Sequence, residues 1–445
     1  MKRLVLRWKK WAARWSRQLA DLRLKPSTQL AGALVLAVAA CVSLSPPRGG
    51  AAGANVPVVR GVYKPGSEQL VRIALETSAK TGMISGTRSW GFVQGDLGRT
   101  FDATQSFTLS LDSARATGKI AAPLGGPGET VIAETADDGL LVWNGKQYRG
   151  TIEISQTDSG FLVVNKLPMD SYLRGVVPLE IGNRTSAEMA AVQAQAVAAR
   201  TYAYKHLNAA RAFDMYATVQ DQVYGGVDAE KPLSDSAIAT TADIIVLYNG
   251  QPITTPYHST CGGSTAGVSE VWYDQPDEPY LRPVSDKIPG SDHYYCDPSP
   301  RFAWSQSYDA AGLRAVLEKY LANYTNAPKS GLGKITDVRE AGRTASGRMA
   351  SLAVQTEAGT YTLRGNDIRF VLRDPKGAIL NSTLISVSEE KSGGEVSGLT
   401  VSGRGYGHGI GMCQWGAIGR ARAGQNFRTI LETYYPGTTL GRIAS

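Results

Sequence analysis

The chain has 445 residues, 42% of them apolar and 19% charged, with a net charge of +8. That length is ample for a large hydrophobic core and excludes a small fold held only by staples. The charge is unevenly spread: residues 1–29 carry nine Lys or Arg against Asp21 alone, so this arm holds the entire excess and the remainder is close to neutral. A basic pI therefore does not signify a basic face on the folded part, which argues against nucleic acid as the main partner.

Within the arm, Trp8, Trp11 and Trp15 alternate with the cations, as in a segment lying at an anionic membrane surface. Leu30 to Leu44 follows as an uncharged apolar run, short for a spanning helix and suited to a signal-peptide core. The charge asymmetry places the arm inside and everything beyond outside. Three outcomes stay open: cleavage near Ala51 to Ala54, retention as an anchor, or lipidation at Cys41 after Val38-Ala39-Ala40. All three export the remainder to the cell envelope. Residues 45–66, rich in Pro, Gly and Ala, form a linker.

From residue 67 to 160 the chain alternates apolar and polar residues between Asp-Asp-Gly and Asn-Gly turns, the pattern of an antiparallel β subdomain. Residues 161–445 form a second region. It opens with an apolar strand, Phe161 to Val164, and a turn at Pro168. A short segment follows that carries Tyr172, Leu173, Val176 and Val177. Glu180 then sits on a loop between Pro178 and Gly182. Thr185 and Glu188 have the spacing of a capping box, and Met189, Val192, Ala196, Ala199 and Ala203 follow at helical spacing. A carboxylate held ahead of a rigid helix suits a catalytic acid, although most loop carboxylates are merely solvated.

Further on, the pattern predicts a helix near Ser234 to Ala242 and a strand at Ile244 to Tyr248, closed by Asn249-Gly250. It also predicts a helix over Ala310 to Tyr324, strands between Gly333 and Val387, and a last helix near Asn426 to Tyr434. About 380 residues lie beyond the linker by count of the chain, enough for two lobes or one large α+β domain.

The cysteines and histidines fall into pairs: His258 with Cys261, His293 with Cys296, and His408 with Cys413. A four-ligand zinc site from His258, Cys261, His293 and Cys296 is chemically sensible; a Cys261–Cys296 disulfide is the alternative in an exported chain. The block Gly403 to Ala417, "GRGYGHGIGMCQWGA", can present His408 and Gln414 from a backbone with little side-chain cover. It lacks the Gly-Lys-Ser/Thr ending of a phosphate loop, and no Gly-x-Ser-x-Gly elbow makes Ser259 a nucleophile.

Four blocks, in order, resemble the stage II sporulation protein D family (SpoIID/LytB): "MDSYLRGVVPLEI…AEMAAVQAQAVAARTYAY", "QDQVYGG", "TTPYHSTCGGSTAGVSEVW…PYLRPV" and "GRGYGHGIGMCQWGAIGRARAGQNFRTILETYYPGTTL". The likeness runs from about Leu70 to Leu440. It departs at Asn183 to Ser186, where the family often has Trp-Pro before the helix. The resemblance implies an α+β fold, largely antiparallel β with a few helices, and a two-lobed catalytic region over 161–445. It also implies a peptidoglycan lytic transglycosylase with Glu180 as its single acid/base, its pKa raised by apolar walls such as Val176, Val177 and Ile181. Glycan contacts are expected from Arg200, Gln222, Tyr224, Ser259, Thr260, His408 and Gln414. A structural zinc is expected at Cys261 and Cys296 with one or both neighbouring histidines. Partners implied are peptidoglycan strands, the membrane through the N-terminal segment, and a cell-wall amidase, since relatives are also called amidase enhancers. That last name leaves a non-catalytic binding role as the alternative.

Overall fold

The computed structural model describes residues 62–63, 70–94, 97–110 and 130–444. These lie in the compact unit Pro57–Ser445, one of two units in the chain, the other being Met1–Val56. The cationic arm, the apolar run and Cys41 lie outside the described residues. Among the described residues no helix is long and apolar enough to cross a membrane.

The alternating stretches form a seven-stranded sheet in the order Met215–Tyr216, Leu70–Ala79, Gly160–Pro168, Thr151–Thr157, Thr130–Thr135, Trp90–Gln94, Leu97–Phe101. All neighbours are antiparallel except Met215–Tyr216 beside Leu70–Ala79. A four-stranded sheet, Ser106–Ser110, Thr81–Gly86, Leu141–Trp143 and Lys146–Tyr148, accompanies it. Trp90 stacks on Phe101 at 4.6 Å between centroids, and Phe92 meets Phe107 edge-on at 5.3 Å, giving this part an aromatic core. Gly160–Pro168 pairs with Thr151–Thr157 on one side and Leu70–Ala79 on the other.

The helices are α1 Met169–Ile181, α2 Met189–His206, α3 Pro232–Thr240, α4 Val268–Val271, α5 Ala310–Tyr320, α6 Asp367–Val371, α7 Gln414–Arg422 and α8 Phe427–Tyr434. The architecture is the expected α+β with mostly antiparallel sheets. Helix α2 is the hub. Twelve of its residues are buried, among them Ala191, Ala194, Ala196, Ala198, Ala199 and Ala203, so it is covered nearly all round. Small side chains let α1, α3, α7, α8 and the strand Ile244–Tyr248 approach it closely. The capping box is present ahead of α2. Thr185 N–H donates to Glu188 Oε2 at 2.9 Å, and a 3₁₀ turn, Ser186–Glu188, leads into the helix. Asn249 and Gly250 both take positive φ, joining Ile244–Tyr248 to Gln251–Pro252 as a tight hairpin.

A second core occupies residues 304–401. Two three-stranded sheets, Ala303–Asp309/Glu395–Arg404/Ile385–Ser392 and Ile335–Arg343/Met349–Thr356/Gly359–Arg364, enclose it with α5 and α6. Leu313, Leu317, Leu352, Val354, Leu399 and Val401 pack there, separate from the core around α2. Both cores lie within the compact unit Pro57–Ser445.

Candidate active site

Glu180 does not sit on a loop, as the Pro178 and Gly182 signals suggested. It lies in the last turn of α1, which runs from Met169 to Ile181 and ends at Gly182 with φ 76°. The helix forms through Pro178 because Met169, Tyr172, Leu173, Val176, Val177 and Ile181 recur at helical spacing and are all buried. Packing of that stripe outweighs the hydrogen bond that proline cannot donate.

The residue is partly exposed as a whole, while its carboxyl end is enclosed. Its Oε1 accepts the backbone N–H of Val223 at 2.9 Å. Burial pushes the Glu180 carboxyl up to about 7, against the opposing pull of the Val223 amide and the Gln414 side chain. The C-terminal end of α1, where carbonyl dipoles converge, disfavours the charged form further. Among the described residues no cation pairs with it.

The turn that delivers Val223 is built by Asp221. Its Oδ2 accepts Tyr216 N–H at 2.8 Å and its Oδ1 accepts the Tyr202 hydroxyl at 3.0 Å, so both oxygens are engaged. Next to it, Gln222 bridges two phenols: Tyr257 donates to Oε1 at 2.8 Å, and Nε2 donates to the Tyr172 hydroxyl at 3.3 Å. Burial first, and the charges of Glu180 and Asp221 after it, keep Tyr172 and Tyr202 neutral; burial and Glu180 do the same for Tyr257. Gln414, at the start of α7, donates to Gln195 Oε1 at 3.3 Å.

Of the residues expected to touch glycan, Gln222 and Gln414 are thus gathered around Glu180. His408 is tied to the same region through Tyr257, whose carbonyl accepts from Nε2 at 2.8 Å. Its Nδ1 accepts Ile410 N–H at 3.0 Å, so both ring nitrogens are used; burial, then Arg369, pushes its pKa down to about 4. Gly411, at φ 71°, passes so near Pro256 that a Cβ would fall 2.1 Å from the carbonyl oxygen, which explains the need for glycine there. Ser259 is half-buried, and its carbonyl accepts Trp415 N–H at 3.0 Å.

The remaining three are internal. Tyr224 donates to Asn165 Oδ1 at 2.8 Å. Thr260 shares a 2.6 Å bond with Ser299. Arg200, 1% exposed, donates to the carbonyls of Thr241, Ile238 and Ile244 and pairs with Asp170 at 3.1 Å, bracing α2 against α1 and α3. Sequence reasoning missed Tyr172, Tyr202, Tyr257, Gln195, Asp221 and the Val223 amide. Their setting in family-like blocks was a signal; their convergence was not readable from spacing.

The expected metal set changes by half. Cys261 and Cys296 are joined by Cys413 and Asp286, with all four ligand atoms within 4.8 Å of one another and all four residues buried. His258 turns away, its Nδ1 donating to Ile410 O at 3.1 Å. His293 is exposed and bonds Asp297 at 2.9 Å. The three cysteines are free thiols, so the Cys261–Cys296 disulfide does not form in this structure. Three soft sulfurs and one carboxylate suit a divalent metal such as zinc. Hydrogen bonds from Cys261 and Cys413 hold the Cys296 thiol down to about 4, while burial pushes the other two thiols up.

A carboxyl at a helix end, framed by phenols and amides, is the candidate acid of this α+β scaffold. The chain matches the family described as Stage II sporulation protein over residues 157–248, and a domain of unknown function over 288–411. It is 31% identical over 294 residues to stage II sporulation protein D of Bacillus subtilis, covering 62% of this chain and 75% of that one. It is likewise 31% identical over 315 residues to an uncharacterized protein of Brachyspira hyodysenteriae, covering 70% and 76%. The match to the amidase enhancer of Bacillus subtilis is 32% over 330 residues, 67% of this chain but only 44% of that longer protein. The chain belongs to the stage II sporulation protein D family.

Two stability measurements follow. Arg200→Met removes donors to three buried carbonyls and should cost roughly 3 kcal/mol in denaturant unfolding; a change under about 0.5 kcal/mol would deny it the bracing role. Glu180 binds its proton more tightly folded than unfolded, so it favours the fold below about pH 4.5 and loses that contribution as pH rises towards about 7. Glu180→Gln should therefore match wild type at pH 4 and exceed it by about 2–3 kcal/mol at pH 8. Equal stability at both pH values would place the carboxylate in a water-like setting.

Proposed function

We propose that the protein is an exported peptidoglycan lytic transglycosylase in which Glu180 is the sole acid and base. The observation that carries this reading is a carboxyl held up near 7, without an ion-pair partner among the described residues, while its nearby carboxylate, Asp221, has both oxygens committed to the turn.

Hydrolytic glycosidases generally use two carboxylates, one of them for water or for covalent attack. A lytic transglycosylase needs one. Neutral Glu180 protonates the oxygen joining N-acetylmuramic acid to N-acetylglucosamine, and that C–O bond breaks. The resulting carboxylate takes the proton of the muramic C6 hydroxyl, whose oxygen bonds to the anomeric carbon. The proton returns to Glu180, no water is consumed, and a 1,6-anhydro end results. Val223 N–H fixes one carboxyl oxygen through both steps, and Gln414 favours the charged form that arises between them. Neutral phenols at Tyr172, Tyr202 and Tyr257 hold the wall of the site without adding charge.

The cationic arm and the apolar run support export to the cell envelope, where this substrate is found. Cys261, Asp286, Cys296 and Cys413 would hold a zinc ion, whose role would be structural because four protein donors would fill a tetrahedral site. The second reading, a wall-binding activator of an amidase, is favoured by the amidase enhancer relative.

Purified protein on purified sacculi separates the two. Anhydro-muropeptides released by the protein alone support the enzyme; no release alone, with stimulation of an added amidase, supports the activator. Glu180→Gln should bind glycan and lose anhydro release by about 10⁴-fold or more, since one group serves both transfers. Release by wild type should fall as pH rises through about 7, where the acid loses its proton. Glu188→Gln is the control. It weakens the cap and the Arg422 pair, at about 1–2 kcal/mol, and leaves turnover nearly intact. A dead Glu188→Gln of intact fold beside an active Glu180→Gln would move the acid onto α2. A reporter fused after Leu440 should be active only in an exported compartment; cytoplasmic activity would overturn the export reading.

A further inference from the structure

Resting on the glycan-cleaving reading above, we infer that Arg184, stacked on Trp415, forms a substrate subsite beside Glu180 that binds a carboxylate of the muramic acid unit and so sets the register of the strand.

Arg184 lies in Asn183 to Ser186, where the sequence departs from the family pattern, and the acid–base steps make no use of it. Gly182 ends α1 at φ 76°, and the chain turns so that Arg184 folds back onto the helix end. Its Nε donates to the Ile181 carbonyl at 2.8 Å. Its Nη2 occupies the space over Gly182, where a Cβ would fall 2.9 Å away. Its Cζ stands 5.3 Å from the centre of the half-buried Trp415 ring. Trp415 follows Gln414, the amide that acts on Glu180. The stack therefore links the end of the helix that carries the acid to the start of the helix that carries the amide. Leu179, 47% exposed, shows that this end of α1 reaches the surface.

A cation at a helix C-terminus also complements the helix dipole. Capping uses Nε alone, however. Among the described residues neither Nη atom has a hydrogen-bond acceptor, and no carboxylate lies within ion-pair distance. Burial works against the charge of Arg184, Glu188 attracts it and Arg422 repels it. Glu188 is already engaged by Arg422 Nε at 3.0 Å and by the Thr185 amide at 2.9 Å. The guanidinium is thus half-desolvated with no anion of its own. Its Nη1–Nη2 edge is the fork that takes a carboxylate through two parallel hydrogen bonds, and the indole fixes the plane of that fork. Glu180 gains no charge from this neighbour: only Val223 and Gln414 oppose its burial. A cation is available to substrate while the acid keeps its proton.

The other groups around Glu180 are neutral phenols and amides, which suit hydroxyl and acetamido groups. Of the two alternating sugars, only N-acetylmuramic acid carries a lactyl ether ending in a carboxyl. That carboxyl is either free or extended by a stem peptide with carboxylates of its own, and both offer Arg184 the same chemistry. Holding it places muramic acid, and not N-acetylglucosamine, at this end of the site.

Binding is measured with full-length Glu180→Gln protein, which does not consume the strands. The probes are stem-free glycan strands, stem-bearing strands, and both after conversion of their carboxylates to methylamides. Adding Arg184→Gln should lower affinity for charged strands about 10-fold or more and leave affinity for the methylamides unchanged. Arg184→Lys, which keeps the charge without the fork, should lose an intermediate amount, and it carries the test if Arg184→Gln loses its fold. Arg339→Gln, on an exposed cation, should match the parent. With Glu180 intact, Arg184→Gln should raise KM and change kcat little. A loss confined to stem-free strands identifies the lactyl carboxylate, and one confined to stem-bearing strands identifies the peptide; either supports the subsite. Undiminished affinity in a folded Arg184 variant, or an equal loss on methylamide strands, would overturn it. Arg184-dependent binding in a protein that releases no anhydro sugars would sink the transglycosylase reading and leave the subsite standing, whereas release with Arg184-independent binding would do the reverse.

Discussion

Glu180 is a carboxyl enclosed by phenols, amides and a helix end, with no cation among the described residues to hold its charge. Much of the surrounding structure follows from that constraint. A single amide, Val223 N–H, binds one oxygen and leaves the acid aimed but not ionised. A cation in the same place would hold the carboxylate charged and remove the proton that the proposed glycan cleavage requires. The turn carrying Val223 must then be stiff, and Asp221 makes it so by bonding an amide on one side and the Tyr202 hydroxyl on the other. A carboxylate that would otherwise compete for the same role is thereby made part of the scaffold.

The thiol cluster extends the constraint to the far wall. Cys413 and Gln414 are adjacent, so whatever fixes Cys413 also fixes the amide that stands beside the acid. Cys261 follows closely on Tyr257, whose hydroxyl holds Gln222 and whose carbonyl holds His408. The short parallel pair Tyr257–His258 and Met412–Cys413 joins the two segments directly. Four loops that share no long element are thus drawn to one point, and the site gains rigidity from that point rather than from the sheets.

Much of this was legible in the sequence. Alternation with Asn-Gly turns located the antiparallel strands, the capping box located α2, and Asn249-Gly250 located its hairpin, because each is a local signal. Helix α1 was obscured by Pro178 and Gly182, which read as loop boundaries; the apolar stripe from Met169 to Ile181 was the stronger signal. The metal set was half legible. His-x-x-Cys spacing drew attention to His258 and His293, yet each imidazole bonds elsewhere and the site is completed across 152 residues by Cys413. Asp286, in an ordinary loop, carries no spacing signal. Convergence of distant segments is a tertiary fact, and local patterns do not encode it.

The energetic logic is consistent with these parts. Keeping a carboxyl proton near neutrality means accepting lower stability above about pH 7, by about 2–3 kcal/mol, a sizeable share of a typical margin of about 5–15 kcal/mol. The compensation lies beside the site. Helix α2 is packed on nearly every face by small residues, Arg200 ties it to three carbonyls, and Glu188 joins its start to Arg422 in α7. Each of these contacts is remote from the carboxyl yet braces an element that presents Glu180, Gln195 or Gln414. The desolvation cost at the acid persists because the elements bearing it are braced against one another.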